Sequence, residues 1–173
     1  GPARRPPCLP TVLRCVAGLM PKLTPQWESH NPGPDPRAGD DCGPYAAWAI
    51  ADALGFQSLG VSMERLPPGS RSSLRHHHSD EDEVVYVIAG TLVLVEEAET
   101  TLVPGDIAGW KAGQGTAHCL ENRSDTDAVI LVAGTRGSAD TVTYPDHDLV
   151  KHRSTDGTET LTRLDGTPLD RDG

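Results

Sequence analysis

Three histidines and one glutamate have the residue types and spacing of a metal site. His76 and His78 lie in the segment HHHSDEDE, Glu83 ends that segment, and His118 follows in TAHCLEN. Imidazole nitrogen and carboxylate oxygen suit divalent first-row metals, and four such ligands leave one or two coordination positions open. An open position is what a catalytic metal uses for water, substrate or oxygen. We predict one divalent transition metal (Fe, Mn, Ni, Co or Zn) at this cluster.

The prediction depends on these residues lying on β-strands. Alternate residues of a strand face the same side, so His76 and His78 point together while His77 points away and is expected to be exposed. Taken alone, the HHH run is equally well explained as a solvated surface cluster. The rest of the pattern has to decide between the two interpretations.

The surrounding chain supports strands. Short β-rich runs separated by Gly, Pro, Asn and Asp recur between residues 60 and 135, which is typical of a sandwich or barrel. Seven runs without an intervening helix favour an all-β, antiparallel jelly-roll barrel. The predicted strands are Gly60–Leu66, Ser72–His77, Glu83–Ala89, Thr91–Glu96, Asp106–Trp110, Thr116–Asn122 and Ala128–Thr135.

Composition divides the chain into one barrel and its flanks. We predict an N-terminal extension over residues 1–24, an irregular Pro- and Gly-rich arm over 25–57, the barrel over 58–135 and a polar C-terminal tail over 136–173. In the arm, the segment Tyr45–Leu54 is compatible with either helix or strand. In the tail, the expected anchors to the barrel are Val142, Tyr144, Leu149 and Val150.

The N-terminal extension has two interpretations. Its first 27 residues hold four basic residues and no acid, a bias that resembles an organelle presequence. Gly1 and Pro2 are typical of the remnant of a cleaved tag, and Met20 is a candidate native start. The second interpretation is preferred, and it leaves a cytoplasmic location as the expectation.

Charge and cysteine content narrow the function classes. Fifteen basic residues against 25 acidic ones give a formal net charge of −10, which repels phosphate backbones and anionic membranes. No apolar run approaches the roughly 18 residues of a membrane span. Four cysteines without a CxxC pair indicate neither a zinc ribbon nor a disulfide scaffold. We therefore expect a soluble protein with a small-molecule ligand or substrate, and neither nucleic acid nor a membrane as partner.

The residues around the histidines resemble the two motifs of the cupin superfamily. The pattern H76-x-H78-x(4)-E83-x(6)-G90 is similar to the first motif, and P104-G105-D106 followed by H118-x(3)-N122 is similar to the second. Two departures affect the barrel mouth: Gly69 lies one residue further from His76 than usual, and Lys111 replaces a proline. More narrowly, the chain resembles small single-domain cupins of largely uncharacterised function.

The resemblance implies a barrel that commonly dimerises and holds its metal near one end. It implies most often a dioxygenase-type oxidoreductase acting on a small oxygenated organic molecule, and next an isomerase or lyase in which the metal acts as a Lewis acid. A non-catalytic module that binds a sugar or an organic acid is the alternative from another class.

Five residues are candidates for the wall of the substrate pocket, although each has a simpler structural explanation. Aromatic side chains in strands more often fill a core, and a lone lysine after a strand is most often exposed. The candidates are Trp110, Lys111, Tyr86, Leu120 and Asn122.

Overall fold

The structure, a computed structural model, describes residues 22–30 and 42–169. It is almost entirely β, with three antiparallel sheets, as predicted. Most of the predicted N-terminal extension and residues 31–41 of the arm lie outside the described residues. In chain order the strands are β1 (Glu28–His30), β2 (Tyr45–Ala49), β3 (Leu59–Leu66), β4 (His77–His78), β5 (Glu83–Ala89), β6 (Leu92–Val95), β7 (Glu99–Leu102), β8 (Ile107–Trp110), β9 (Cys119–Glu121), β10 (Ala128–Thr135), β11 (Asp140–Tyr144), β12 (Leu149–Arg153) and β13 (Glu159–Thr162).

Two sheets enclose the core. The larger has the order β1-β2-β3-β10-β5-β8, and the smaller has the order β7-β6-β9. Inward side chains alternate with outward ones along each strand, as in Val85 and Val87 of β5, which are buried between exposed Val84, Tyr86 and Ile88. The core residues come from both sheets: Leu66, Val85, Val87, Leu92, Leu94, Leu102, Trp110, Leu120, Ala128 and Ile130.

The third sheet comes mainly from the polar C-terminal segment. Its order is β13-β12-β11-β4, so the strand that carries His78 pairs with β11. Of the four predicted anchors, Leu149 and Val150 are buried, and Leu161 is a buried residue that the sequence analysis did not single out. The C-terminal segment therefore forms one wall next to the predicted ligands.

Several predicted elements differ from the observed ones. Tyr45–Leu54 contains both alternatives, since β2 is followed directly by a helix over Ile50–Leu54. The predicted strand Ser72–His77 is replaced by bends, with pairing only at His76 and in β4. Strand β7 was not predicted, because three of its four residues are polar and exposed. A 3₁₀ helix spans Pro145–His147. Within the described residues no helix is long and apolar enough to cross a membrane.

The Gly90 turn joins the two sheets. Gly90 has φ of +79°, and a Cβ there would lie 2.6 Å from the Ala128 Cα and from the Asp127 carbonyl oxygen. Only glycine adopts this conformation at so close an approach. The glycine of the first motif is thus explained by packing of the β5–β6 turn against the start of β10.

We expect Gly90→Ala to lower the free energy of unfolding more than Gly69→Ala. Both glycines have positive φ, but nothing lies within 4 Å of a Cβ at Gly69. Gly69→Ala therefore measures the backbone strain alone, about 1–3 kcal/mol, and Gly90→Ala adds steric overlap. Urea unfolding followed by circular dichroism makes the comparison. Equal losses in the two variants would contradict this account of the turn.

Candidate metal centre

His76 and His118 face each other across an antiparallel bridge. The His76 amide donates to the His118 carbonyl at 3.1 Å, and the His118 amide donates to the His76 carbonyl at 2.9 Å. Directly opposite residues of an antiparallel pair direct their side chains to the same face. Their ring centroids are accordingly 5.3 Å apart. The bridge brings together the two sequence segments that carry histidines.

Glu83 opens strand β5 and reaches these rings. Its Oε2 atom lies 3.2 Å from His118 Nε2 and 3.9 Å from His78 Nε2. The ligand atoms of His76, Glu83 and His118 all lie within 4.8 Å of one another. Two atoms bound at right angles to one metal at about 2.1 Å are about 3.0 Å apart. The spacing therefore fits a first-row metal ion, with His78 slightly further out.

Backbone carbonyls orient the imidazole rings of His76 and His118, because each accepts a hydrogen bond from the Nδ1 atom. The Nδ1 atom of His76 lies 2.8 Å from the Leu74 carbonyl, and that of His118 lies 3.1 Å from the Thr116 carbonyl. A carbonyl oxygen only accepts, so each Nδ1 carries the proton and donates it. Each Nε2 then keeps its lone pair. An unprotonated Nε2 beside a carboxylate is what a metal requires of these side chains.

Asp140 gives His78 the same orientation. Its Oδ2 atom lies 2.6 Å from His78 Nδ1, and its Oδ1 atom accepts the Asp80 amide at 3.1 Å. Asp140 begins β11 and is buried. Ligand atoms of His78, Glu81 and Asp140 also cluster, but Glu81 is paired with Arg153. This second cluster therefore orients His78 and is not a separate metal site.

The protonation states also suit a metal. Burial lowers the pKa of His76 to about 4, so its ring is neutral at neutral pH. Burial alone would raise the pKa of Glu83, but the close approach of His118 and the nearby imidazoles of His76 and His78 outweigh it and hold that pKa below the ordinary value. For Asp140, burial is likewise outweighed, chiefly by the hydrogen bond with His78, so its pKa is lowered too.

A cavity of about 740 Å³ extends from this cluster into the barrel. It stays open beside Glu83 because the residues facing it across β10 and β3 are Gly134 and Gly60. A pocket of this size suits a small organic molecule. The remaining wall combines apolar residues with polar ones, and the polar ones include Ser62, Glu64, Ser72, Ser73, Glu81, Asp82, Arg136, Ser138 and Arg153.

Two of the five predicted pocket residues line this cavity. Trp110 is buried and stacks on His118, with ring centroids 3.5 Å apart and planes 4° apart. Its indole N–H donates to Glu96 Oε1 at 2.7 Å, which fixes the ring in place. Leu120 forms part of the cavity wall next to it.

Two of the other three candidates, Tyr86 and Asn122, lie outside this cavity, which corrects that part of the prediction. Tyr86 is on the outer face of β5, since alternation points it away from Val85 and Val87. Asn122 is buried and donates to the carbonyls of Leu66 and Thr126, so it ties the β9–β10 loop to β3. Lys111 borders a second, much smaller cavity, which shares Glu83, Trp110 and His118 with the first.

His77 is partly buried instead of exposed, and its Nδ1 atom is buried without a hydrogen-bond partner among the described residues. Its Cα partner is Thr143 on β11, so the C-terminal sheet covers it. No local pattern in the polar residues after 136 predicts that they would cover this strand.

Sequence reasoning also missed several residues of the site. The inward direction of Glu64 could have been predicted, because along β3 it shares a face with Ser62 and buried Leu66. Asp140 and Arg153 have none, since only the tertiary pairing of the C-terminal sheet brings them here.

The cupin domain profile matches residues 62–134, and the two-sheet barrel and inward histidine cluster agree with it. Among solved structures, a sugar phosphate isomerase of the cupin superfamily from Silicibacter pomeroyi is 42% identical, with TM-score 0.69 over 74% of this chain and 82% of that chain. The chain therefore belongs to the cupin superfamily.

Other similar structures are more distant. A proposed sugar phosphate isomerase from Acidithiobacillus ferrooxidans is 29% identical, with TM-score 0.68 over 74% of this chain and 81% of that chain. The polyketide cyclase RemF from Streptomyces resistomycificus, at 16% identity and TM-score 0.53 over 68% of this chain and 80% of that chain, shares the fold alone. No curated protein matches the sequence.

We expect the purified chain to bind about one divalent transition metal, and His76→Ala, Glu83→Ala and His118→Ala each to lose it. Elemental analysis after gel filtration measures metal per chain. His77→Ala is the matched control and should retain the metal, because its ring is not part of the ligand cluster. Unchanged metal content in Glu83→Ala would show that the ligand set is wrong.

We expect Asp140→Asn to weaken metal affinity by about 10- to 100-fold, the usual effect of removing a carboxylate that orients a ligand histidine. Competition with a chromogenic chelator gives the dissociation constant. Asp148→Asn serves as control, because Asp148 belongs to the same C-terminal segment but pairs with exposed Arg163. Equal affinities in wild type and Asp140→Asn would contradict the orienting role.

Proposed function

We propose that this chain is a metal-dependent isomerase of a small phosphorylated hydroxy-aldehyde or hydroxy-ketone, with His76, His78, Glu83 and His118 as metal ligands. The observation that carries the proposal is one cavity that combines the ligand cluster with two arginines. The similarity to the Silicibacter pomeroyi sugar phosphate isomerase supports the same class of substrate. The dioxygenase expected from the family resemblance becomes an outcome of the test.

The two arginines supply a site for a phosphate. Arg153 pairs with Glu81 and donates to the Gly137 carbonyl at 3.2 Å, while Arg136 pairs with Asp52 at 2.7 Å. They flank the loop after β10, on the cavity wall. Guanidinium groups bind phosphate through paired N–H donors, and both ion pairs are exposed enough to rearrange around an anion.

The other side chains suit a substrate rich in hydroxyl groups. Ser62, Ser72 and Ser73 line the cavity beside the ligand cluster. Hydroxyl side chains both donate to and accept from substrate hydroxyls. When bound, the metal would polarise the substrate carbonyl as a Lewis acid. Trp110 covers one face of His118 and limits the approach of water to that ring.

Activity is tested by incubating the metal-loaded chain with aldose and ketose phosphates, with the unphosphorylated sugars as controls. Proton NMR follows interconversion, and an oxygen electrode follows uptake with Fe(II). We expect interconversion of at least one phosphate ester without oxygen consumption. Iron-dependent oxygen uptake would favour the dioxygenase, and calorimetric binding without turnover would favour the non-catalytic module.

We expect Arg136→Gln and Arg153→Gln each to raise KM for the phosphorylated substrate by roughly 10-fold or more, since each removes a charged hydrogen bond worth about 1.5–3 kcal/mol. Metal content should not change. Arg123→Gln is the control, because its exposed guanidinium pairs with Glu99 and Glu121 on the surface. Similar KM values in all three variants would contradict the phosphate site.

The outer face of the large sheet supports a homodimer as the assembly. A cross-strand row of apolar side chains crosses five strands: Ile107, Tyr86, Leu131, Met63 and Trp48. Ile107 is 67% exposed and Tyr86 is 42% exposed. A contiguous apolar row of this kind is typical of an interface. A second copy of the chain is the proposed occupant, and a cytoplasmic location stays a prediction.

We expect Tyr86→Lys combined with Ile107→Lys to convert the dimer to a monomer, since both place charge on the most exposed members of the row. Light scattering after gel filtration gives the mass. Leu164→Lys is the control, because Leu164 is exposed on a turn away from this sheet. A wild-type chain that is monomeric at micromolar concentration would contradict the proposal.

A further inference from the structure

Glu64 lies in the barrel interior, in the middle of β3. It is opposite Ala47 of β2 and Ile130 of β10, and Ile130 is fully buried in the core. Opposite residues of antiparallel strands share a face, so the Glu64 side chain points inward. It lines the same cavity as the predicted metal ligands. A carboxyl group is thus held inside the barrel, where carboxyl groups are costly.

The other carboxyl groups of the cavity are already engaged. Glu81 is paired with Arg153, Asp82 accepts the Ala112 amide at 2.7 Å, and Glu83 faces the imidazoles. Within the described residues, the hydrogen-bond partner of Glu64 is the Ser62 hydroxyl at 3.4 Å, and it has no cationic partner. Glu64 therefore has an oxygen free to meet a molecule in the cavity.

The surroundings of Glu64 favour a proton carrier. Burial, followed by the charge of Glu83, raises the pKa of Glu64 to about 7, and the Ser62 hydroxyl only partly opposes this. Tyr45 of β2 also faces this region, and burial together with the Glu64 charge raises its pKa. A bound divalent cation nearby would lower the pKa of Glu64. A carboxyl group that titrates near neutral pH both accepts and returns a proton readily.

We propose that Glu64 is the catalytic residue that moves the proton between adjacent carbons of the substrate. This inference rests on the proposed function. The Glu64 carboxylate removes the proton from the carbon next to the carbonyl, so that a C–H bond breaks and an O–H bond forms. The released electron pair forms a C=C bond, and the carbonyl oxygen takes up the negative charge.

Glu64 then returns the proton to the former carbonyl carbon. The enediolate collapses, a proton passes between the two neighbouring oxygens, and the carbonyl group appears on the adjacent carbon. Atoms and electrons balance without an oxidant or reductant, and Glu64 ends as the carboxylate with which it began.

The test compares the kinetics of wild type, Glu64→Gln and Ser62→Ala, each metal-loaded. The substrate is the phosphate ester that wild type interconverts in the activity test described under the proposed function. We expect Glu64→Gln to lose roughly 100-fold or more in kcat, within the usual range for removal of a general base. It should also lose exchange of the substrate C–H proton into deuterium oxide, while its metal content and its affinity for inorganic phosphate stay unchanged. Glutamine keeps the shape, so the variant should fold.

Ser62→Ala separates a proton carrier from a structural residue. The Ser62 hydroxyl favours the ionised form of Glu64. Its loss should move the acid limb of the kcat/KM profile to higher pH, and the position of that limb, not the height of the plateau, is the readout. A structural role for Glu64 predicts no such displacement.

Thermal unfolding of the metal-free protein gives a readout independent of activity. Because the pKa of Glu64 is raised on folding, its contribution to stability is full below the unfolded pKa and is lost as the pH rises toward 7. Glu64→Gln should therefore melt above wild type at pH 8, by a margin that shrinks at pH 5.

The outcomes separate the two proposals. An active wild type whose Glu64→Gln variant keeps more than a tenth of its kcat, or still exchanges the proton, would overturn the role of Glu64 and leave the isomerase proposal standing. A wild type inactive on every phosphate ester would overturn both.

Discussion

The bridge between His76 and His118 is the contact on which the candidate site depends. Two backbone hydrogen bonds hold segments that are far apart in sequence, and both imidazoles enter the barrel on the same face. The segment from 72 to 75 forms bends, so this bridge fixes the position of the first histidine. The carbonyls of Leu74 and Thr116 then turn the two rings. Backbone geometry thus decides which nitrogen atoms face Glu83.

The strands β3, β5 and β10 line both the apolar core and the cavity, with different residue types in each part. One end of β3, β5 and β10 buries Leu66, Val87 and Ile130 in apolar contact. At the other end the row is Gly60, Gly134 and Glu83, which leaves space instead of filling it. All three of these residues line the cavity. Glu64 lies in the same cross-strand row as Ile130 and Val87, so it is the polar member of the apolar region.

The strands β11, β12 and β13 of the C-terminal sheet lie outside the residues that the cupin domain profile matches, and they add to the candidate site. Strand β11 pairs with β4 and supplies Asp140 to His78, and Arg153 of β12 brings a positive charge to the cavity wall. The N-terminal half of the barrel supplies Glu64, and β5 supplies Glu83. A metal-binding cluster, a cationic wall and an inward carboxyl group therefore come from different parts of the chain but meet in one cavity.

The sequence by itself determined the barrel and the candidate ligands. Alternation and turn residues predicted β3, β5 and β10 with nearly the observed bounds, because local side-chain periodicity follows the pleat. The same periodicity would have identified Glu64. The same alternation places Tyr86 on the outer face of β5, opposite to Val85 and Val87, so its prediction as a pocket residue was wrong.

Only the tertiary structure decided how the site is supported. Asp140, Arg153 and the stacking of Trp110 on His118 depend on strands that meet across sheets, and no local pattern encodes such contacts. The polar residues after 136 lack the apolar alternation that marks a strand in sequence, yet β11, β12 and β13 form there by pairing with one another and with β4. Backbone pairing depends little on side-chain type, and it formed these three strands where hydrophobic periodicity did not predict them.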